Sequence, residues 1–131
     1  MDIKLEFDYM FKNTVCTHVI VYTDNTVEVT NYTDVFHKKA FNKDKNITYQ
    51  DVLNLFEERI VPRTRGNIRQ ILDLLNLEEY DPYLLARNNY GAMPEDMSWI
   101  KFSDQPDLTW EKVIDDLGFD FRKPDYKPRE N

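Results

Sequence analysis

Ile3, Leu5, Phe7, Tyr9 and Phe11 alternate with Asp2, Lys4, Glu6 and Asp8, and Met10 is the one apolar residue in the polar set. A period of two puts one set in a core and the other in water, so this segment predicts a half-buried strand. Lys12 and Asn13 predict a tight turn. Residues 14–23 are rich in β-branched and aromatic side chains and suit a central strand. Asp24 and Asn25 tolerate the left-handed backbone that a hairpin turn needs. Residues 26–32 give a third strand, with Val27 and Val29 inward. The result is a three-stranded antiparallel meander, whose apolar face needs a cover.

The period then becomes helical. Thr48 is a good N-cap, and Ile47 and Val52 are placed to form a hydrophobic staple across it. Val52, Leu53, Leu55, Phe56 and Ile60 follow as an apolar stripe, which Pro62 ends. A second helix is expected over about 64–76, with Ile68, Ile71, Leu72 and Leu75 inward. Asp81 and Pro82 supply an N-cap and the residue best suited to the first helical position. That helix should reach about Asn89 and close at Gly91. Residues 97–102, MSWIKF, read as a short strand, with Trp99 and Phe102 in the core. Leu108 and Val113 bracket Thr109 as a second staple. The helix that follows, Trp110 to Leu117, should stop at Gly118. Strands first and helices after predict an α+β domain, a meander covered by three to four short helices. The domain is expected to span 1–122, with a polar tail at 123–131.

Composition narrows the class. The chain has 131 residues, 41% of them apolar and 14% aromatic. A chain of this length buries about two-thirds of the surface its unfolded form exposes, enough for one core. The single cysteine excludes an internal disulfide framework and a cysteine zinc site. The longest apolar run, Val19 to Tyr22, is too short to span a membrane. The first residues lack a signal peptide's apolar block, so a cytoplasmic protein is expected.

The formal charge of -7 hides an asymmetry. Nearly all the excess acid falls after residue 77. Opposite in sign is the stretch Arg59, Arg63, Arg65 and Arg69, with no acid between Arg59 and Leu72. Two readings stand for the acids Glu78, Glu79, Glu95, Asp96, Asp104 and Asp107. They present a phosphate-like surface to a basic cleft, or they are an ordinary solvated surface. Two stand for the arginines as well: forks that grip an anion, or partners in structural salt bridges. The overall charge argues against direct DNA binding. Tyr83 and Tyr90 are candidate anchors for a protein partner, because tyrosine is enriched at binding hot spots.

Catalytic chemistry is sparse. Gly66, Gly91 and Gly118 are the only glycines and cannot write a phosphate-cradling loop. Ser98 and Ser103 sit in no nucleophile elbow. Cys16 and His18 share a strand face but diverge too far for a thiol–imidazole pair, so a buried thiol beside a partly exposed histidine is expected. His37 stands alone. No metal-ligand spacing appears, and no cofactor is expected. These absences argue against an enzyme.

From residue 61 to 102 the chain reads VPRTRGNIRQILDLLNLEEYDPYLLARNNYGAMPEDMSWIKF. The run combines a proline-arginine lead-in, a helix, Tyr80-Asp81-Pro82, a second helix, a glycine and Asp96-Met97-Ser98-Trp99-Ile100. It resembles a segment of small proteins from Firmicutes mobile elements and phages, and the N-terminal part of HipA-like and CtkA-like kinases. The catalytic residues of those kinases have no counterpart here, so kinase activity is not implied. In size, acidity and lack of catalytic residues the chain is similar to anti-CRISPR proteins as a class. The resemblance implies an acidic inhibitor of a nucleic-acid-targeting defence enzyme, a type II CRISPR nuclease or its guide complex being the partner. The alternative it implies is a regulatory or adaptor module for a HipA-like kinase or another protein.

Overall fold

β1 (Ile3–Phe11), β2 (Thr14–Tyr22) and β3 (Val27–Asn31) form the expected meander, and β4 (Ser98–Phe102) adds a fourth strand along β1. The structure is a computed structural model that describes residues 2–43, 45–93 and 95–118. The expected tail at 123–131, and the domain end at 119–122, lie outside the described residues. The sheet order is β3-β2-β1-β4, and every neighbouring pair is antiparallel. Among the described residues four α-helices follow the meander: α1 (Tyr49–Glu58), α2 (Ile68–Leu74), α3 (Pro82–Asn89) and α4 (Trp110–Leu117). The fold is α+β.

The alternation of β1 has an exact consequence only at its centre. Phe7 and Tyr9 are buried, whereas Ile3 at the strand's start is exposed. On this face Phe7, Tyr9, Val19, Val21, Ile100 and Phe102 meet Val52, Leu55 and Phe56 of α1, Leu72 of α2, and Leu85 and Ala86 of α3. Phe7, Phe56 and Phe102 form a ring cluster with centroids 5.3 to 6.0 Å apart. Tilted aromatic pairs at this spacing add to the burial of their area.

Met10 explains itself on the opposite face. It lies in register with Trp99 of β4, and both are buried with Ala92, Trp110 and Val113. The face read as wet is therefore half covered: α4 seals its β1–β4 end over a second, smaller core. Asn13 in the β1–β2 turn fastens this helix. Its carbonyl oxygen accepts from the Trp110 amide at 2.8 Å, and its amide nitrogen donates to both Glu111 carboxylate oxygens.

Local signals account for the helix ends. Thr48 caps α1 in a reciprocal capping box with Asp51. The Asp81 side chain accepts from the Leu84 amide, and Pro82 opens α3. Thr109 caps α4, and Gly118 closes it in left-handed conformation at φ 76°. Two ends differ from expectation. α2 begins at Ile68, because residues 62–68 turn twice instead, with the Arg65 amide on the Pro62 carbonyl and the Ile68 amide on the Arg65 carbonyl. Gly66 and Asn67 are poor helix formers, which favours the turns. α3 turns left-handed at Tyr90, one residue before Gly91. Gly91 is needed for a different reason. A Cβ there would lie 2.6 Å from Ile100 Cδ1.

Candidate functional site

The basic stretch starts at the C-cap of α1, and its first member is turned inward. The Arg59 guanidinium is buried and donates to five acceptors. Nε meets the Gly91 carbonyl. Nη1 meets the Tyr9 hydroxyl at 3.1 Å and Asp96 Oδ2 at 3.2 Å. Nη2 meets Asp96 Oδ1 at 2.7 Å and the Ser98 carbonyl at 2.8 Å. A guanidinium has five N–H donors, so none is left for an exogenous anion. The anion-binding reading of Arg59 is thereby corrected: it is a brace joining α1, β1 and the approach to β4.

The other three arginines are also tied locally. Arg63 pairs with Glu57 at 2.7 Å and stacks over the Tyr80 ring. Arg65 donates to Asn67 Oδ1 at 2.9 Å. Arg69 holds Asp73 and reaches the Leu77 and Glu78 carbonyls at 2.7 and 2.8 Å, fixing the loop after α2. Tyr80 adds a further tie, donating its hydroxyl to the Val61 carbonyl. The distinctive strings of 61–102 thus converge on one framework of contacts: Tyr80 on Val61, Asp81 on α3, Asp96 on Arg59, and the Trp99 indole on the Lys12 carbonyl.

The six named acids divide. Asp96 is committed to Arg59, and its Oδ1 also accepts from the Ser98 amide. Asp104 takes both oxygens to Arg87 Nη2, and that guanidinium lies over the Phe102 ring. Glu78, Glu79, Glu95 and Asp107 are exposed on loops and have no side-chain partner among the described residues. Glu95 and Asp107 flank opposite ends of β4, while Glu78 and Glu79 lie just before α3. An eight-residue helix is about 12 Å long, so α3 spaces Glu78 and Glu79 from the chain beyond its far end.

The tyrosines are not free anchors. The Tyr83 ring is half-buried between Phe56 and Phe102, edge-on to the latter at 5.4 Å. Tyr90 donates its hydroxyl to Asp116 Oδ2 at 2.6 Å, which ties the end of α3 to α4. That bond, with partial burial and the carboxylate charge, raises the phenol pKa. The exposed apolar groups here are Leu74, 86% accessible, and Leu84. Leu84 lines a shallow groove with Leu77, Glu78, Glu79, Tyr80 and Pro82. Leu74 was detectable in the sequence, since it falls outside the phase of Ile68, Ile71, Leu72 and Leu75.

A second groove, of about 420 Å³, lies between the segment around Phe36–Lys43 and α1. Its walls mix Phe36, His37, Lys39 and Phe41 with Asn54 and Glu58, and Lys43 pairs with Asp51 at 3.0 Å beside it. No motif in the sequence marks it.

Cys16 and His18 are separated by the bulge that Cys16 itself makes in the β1–β2 ladder. The thiol is buried, which pushes its pKa up. Both imidazole nitrogens of His18 are held by carboxylates, Nε2 by Glu6 at 2.8 Å and Nδ1 by Asp8 at 2.6 Å. Neither is available to a thiol. Among the described residues no group of three or more His, Cys, Asp or Glu could hold a metal ion. Among the same residues no helix is long and apolar enough to cross a membrane.

No family model, no curated protein and no solved structure matches the chain.

Proposed function

We propose that the protein is a non-catalytic acidic binding module that occupies a basic nucleic-acid-binding surface of a host defence enzyme, a type II CRISPR nuclease or its guide complex being the target. One observation carries this reading. Glu78 and Glu79 stand exposed, with no side-chain partner among the described residues, beside the exposed Leu84, while every arginine of the nearby basic stretch is engaged within the molecule. Carboxylates of this kind suit a cleft that otherwise holds phosphates, and neighbouring apolar groups add contact area. Such nucleases hold the guide–target duplex in a positively charged channel.

The test is a DNA-cleavage assay with the nuclease and guide, adding the protein before or after guide loading. Wild type should inhibit, and order dependence identifies the blocked step. The reversal Glu78→Lys/Glu79→Lys/Asp107→Lys should weaken inhibition and leave folding intact. Absence of inhibition across several nuclease orthologues defeats the target assignment. Inhibition untouched by the reversal defeats the acidic mechanism.

A second reading is an adaptor for a HipA-like kinase or another protein. Its support is the exposure of Leu74 and Leu84, which a salt-insensitive apolar contact would cover. A complex that survives high salt but is lost in Leu74→Ser/Leu84→Ser favours it.

A further inference from the structure

The two edges of the sheet are treated differently. On β4, the Ile100 amide donates to the Tyr90 carbonyl at 2.8 Å and the Ser98 carbonyl accepts from Arg59, so that edge is closed by its own chain. On β3, the pairing with β2 fixes which groups point out. The Tyr22 amide bonds the Thr26 carbonyl and the Tyr32 amide bonds the Cys16 carbonyl. In an antiparallel ladder, bonded pairs alternate with unbonded ones. Glu28–Ile20 and Thr30–His18 are therefore the bonded pairs within the register, and Val27, Val29 and Asn31 aim their N–H and C=O groups away from the sheet. Those groups have no partner among the described residues. The strand reads VEVTN, with no proline, lysine or bulge to block pairing. Tyr32, Val35 and Phe36, all exposed, follow it directly.

We propose that β3 pairs antiparallel with β3 of a second copy of this chain, about a twofold axis at Val29, continuing the sheet across a dimer. The register follows from the outward groups. Centred on Val29, Val27 faces Asn31 of the second copy, Val29 faces its equivalent, and Asn31 faces Val27. Each of these pairs exchanges both backbone bonds, and the whole strand is used. Glu28 then lies opposite Thr30 of the second copy. Moving the axis to residue 28 would set Glu28 against Glu28 and waste an end of the strand. Like charges directly opposite are destabilising, which disfavours that register, and an axis at residue 30 wastes the other end, so Val29 is the register that uses the whole strand. A symmetric contact of this type closes on itself and builds a dimer and no fibre. The proposal does not depend on the defence-enzyme reading.

Sedimentation equilibrium of the full chain, up to about 1 mM, tests it. Wild type should show a monomer–dimer equilibrium. Thr30→Glu places two carboxylates opposite each other twice across the axis and should weaken the dimer about tenfold or more. Glu28→Lys combined with Thr30→Glu sets opposite charges there and should restore it. Val29→Pro removes an outward N–H that β2 does not use and should abolish the dimer. Circular dichroism of each variant checks that the fold is kept. A monomer throughout the range overturns the proposal and leaves the edge open to a strand of another protein. A dimer indifferent to Thr30→Glu, or not restored by the double variant, overturns it by placing the contact elsewhere.

Discussion

Arg59 shows how structure decides between two readings that its neighbours in sequence leave open, in favour of the structural salt bridge. It belongs to a basic run, yet its five donors are consumed by Gly91, Tyr9, Asp96 and Ser98. Arg59→Met would leave buried acceptors unsatisfied and should lower stability by about 3 kcal/mol, measured by urea unfolding. Arg59→Lys should recover little, because a point charge cannot replace the fork. Gly91→Ala combines a φ of 56° with a Cβ driven into Ile100, and should cost about 2 kcal/mol or more in the same measurement. His18 gives a pH signature. Partial burial pushes its pKa down, but the hydrogen bonds and charges of Asp8 and Glu6 outweigh that, and the net shift is upward. Across the neighbouring strands it faces Thr30, and Lys101 pairs with Asp8. Protonated His18 therefore stabilises the fold fully below the unfolded value of about 6.5, and this contribution is lost as pH rises through the higher folded value. Stability measured from pH 5.5 to 8.5 should fall over that window relative to His18→Gln.

At the scale of elements, Thr48 is the cleanest case. Thr48→Ala removes the hydroxyl that caps the Asp51 amide and should cost about 1 kcal/mol, read as a lower thermal midpoint. The helix signals at Thr48, Asp81, Thr109 and Gly118 were legible because capping is local: the first three side chains each bond a backbone group three residues away, and Gly118 closes α4 through its own left-handed backbone. The meander was legible for the same reason, through its turns at Lys12 and Asn25, both left-handed. Contacts closing long loops were not. The pairing of β4 with β1, and the second core under α4, join residues from both ends of the described chain. The strand at 97–102 and the helix at 110–117 were legible one by one, but the trace of where they dock was Met10, an apolar residue in a polar phase. The candidate acids had the same difficulty. Asp96 and Glu95 are adjacent and chemically alike, but only Asp96 meets Arg59, and nothing within a few residues distinguishes them.

At the scale of the molecule, charge and topology work separately. Among the described residues the acids after residue 77 are spread over the loops flanking α3 and β4 and over α4, where Glu111, Asp115 and Asp116 stand, so any partner must meet them across a surface. Its binding should weaken as salt rises from about 0.05 to 0.5 M, since exposed charges are screened over a Debye length. A partner held through Leu74 and Leu84 should be nearly indifferent. The two cores also differ in what they contain. Trp99 and Trp110, the only tryptophans, are both in the smaller core with Met10, Ala92 and Val113, and the larger core around Phe7 and Phe56 has none. Indole fluorescence excited selectively is thus a reporter of one half of the molecule, whereas far-ultraviolet dichroism sums over all of it. If α4 peels away from the sheet before the rest unfolds, the emission will red-shift at lower denaturant than the loss of ellipticity. Coincident curves will mean that the strands shared by both cores, β1 and β4, bind them into one cooperative unit.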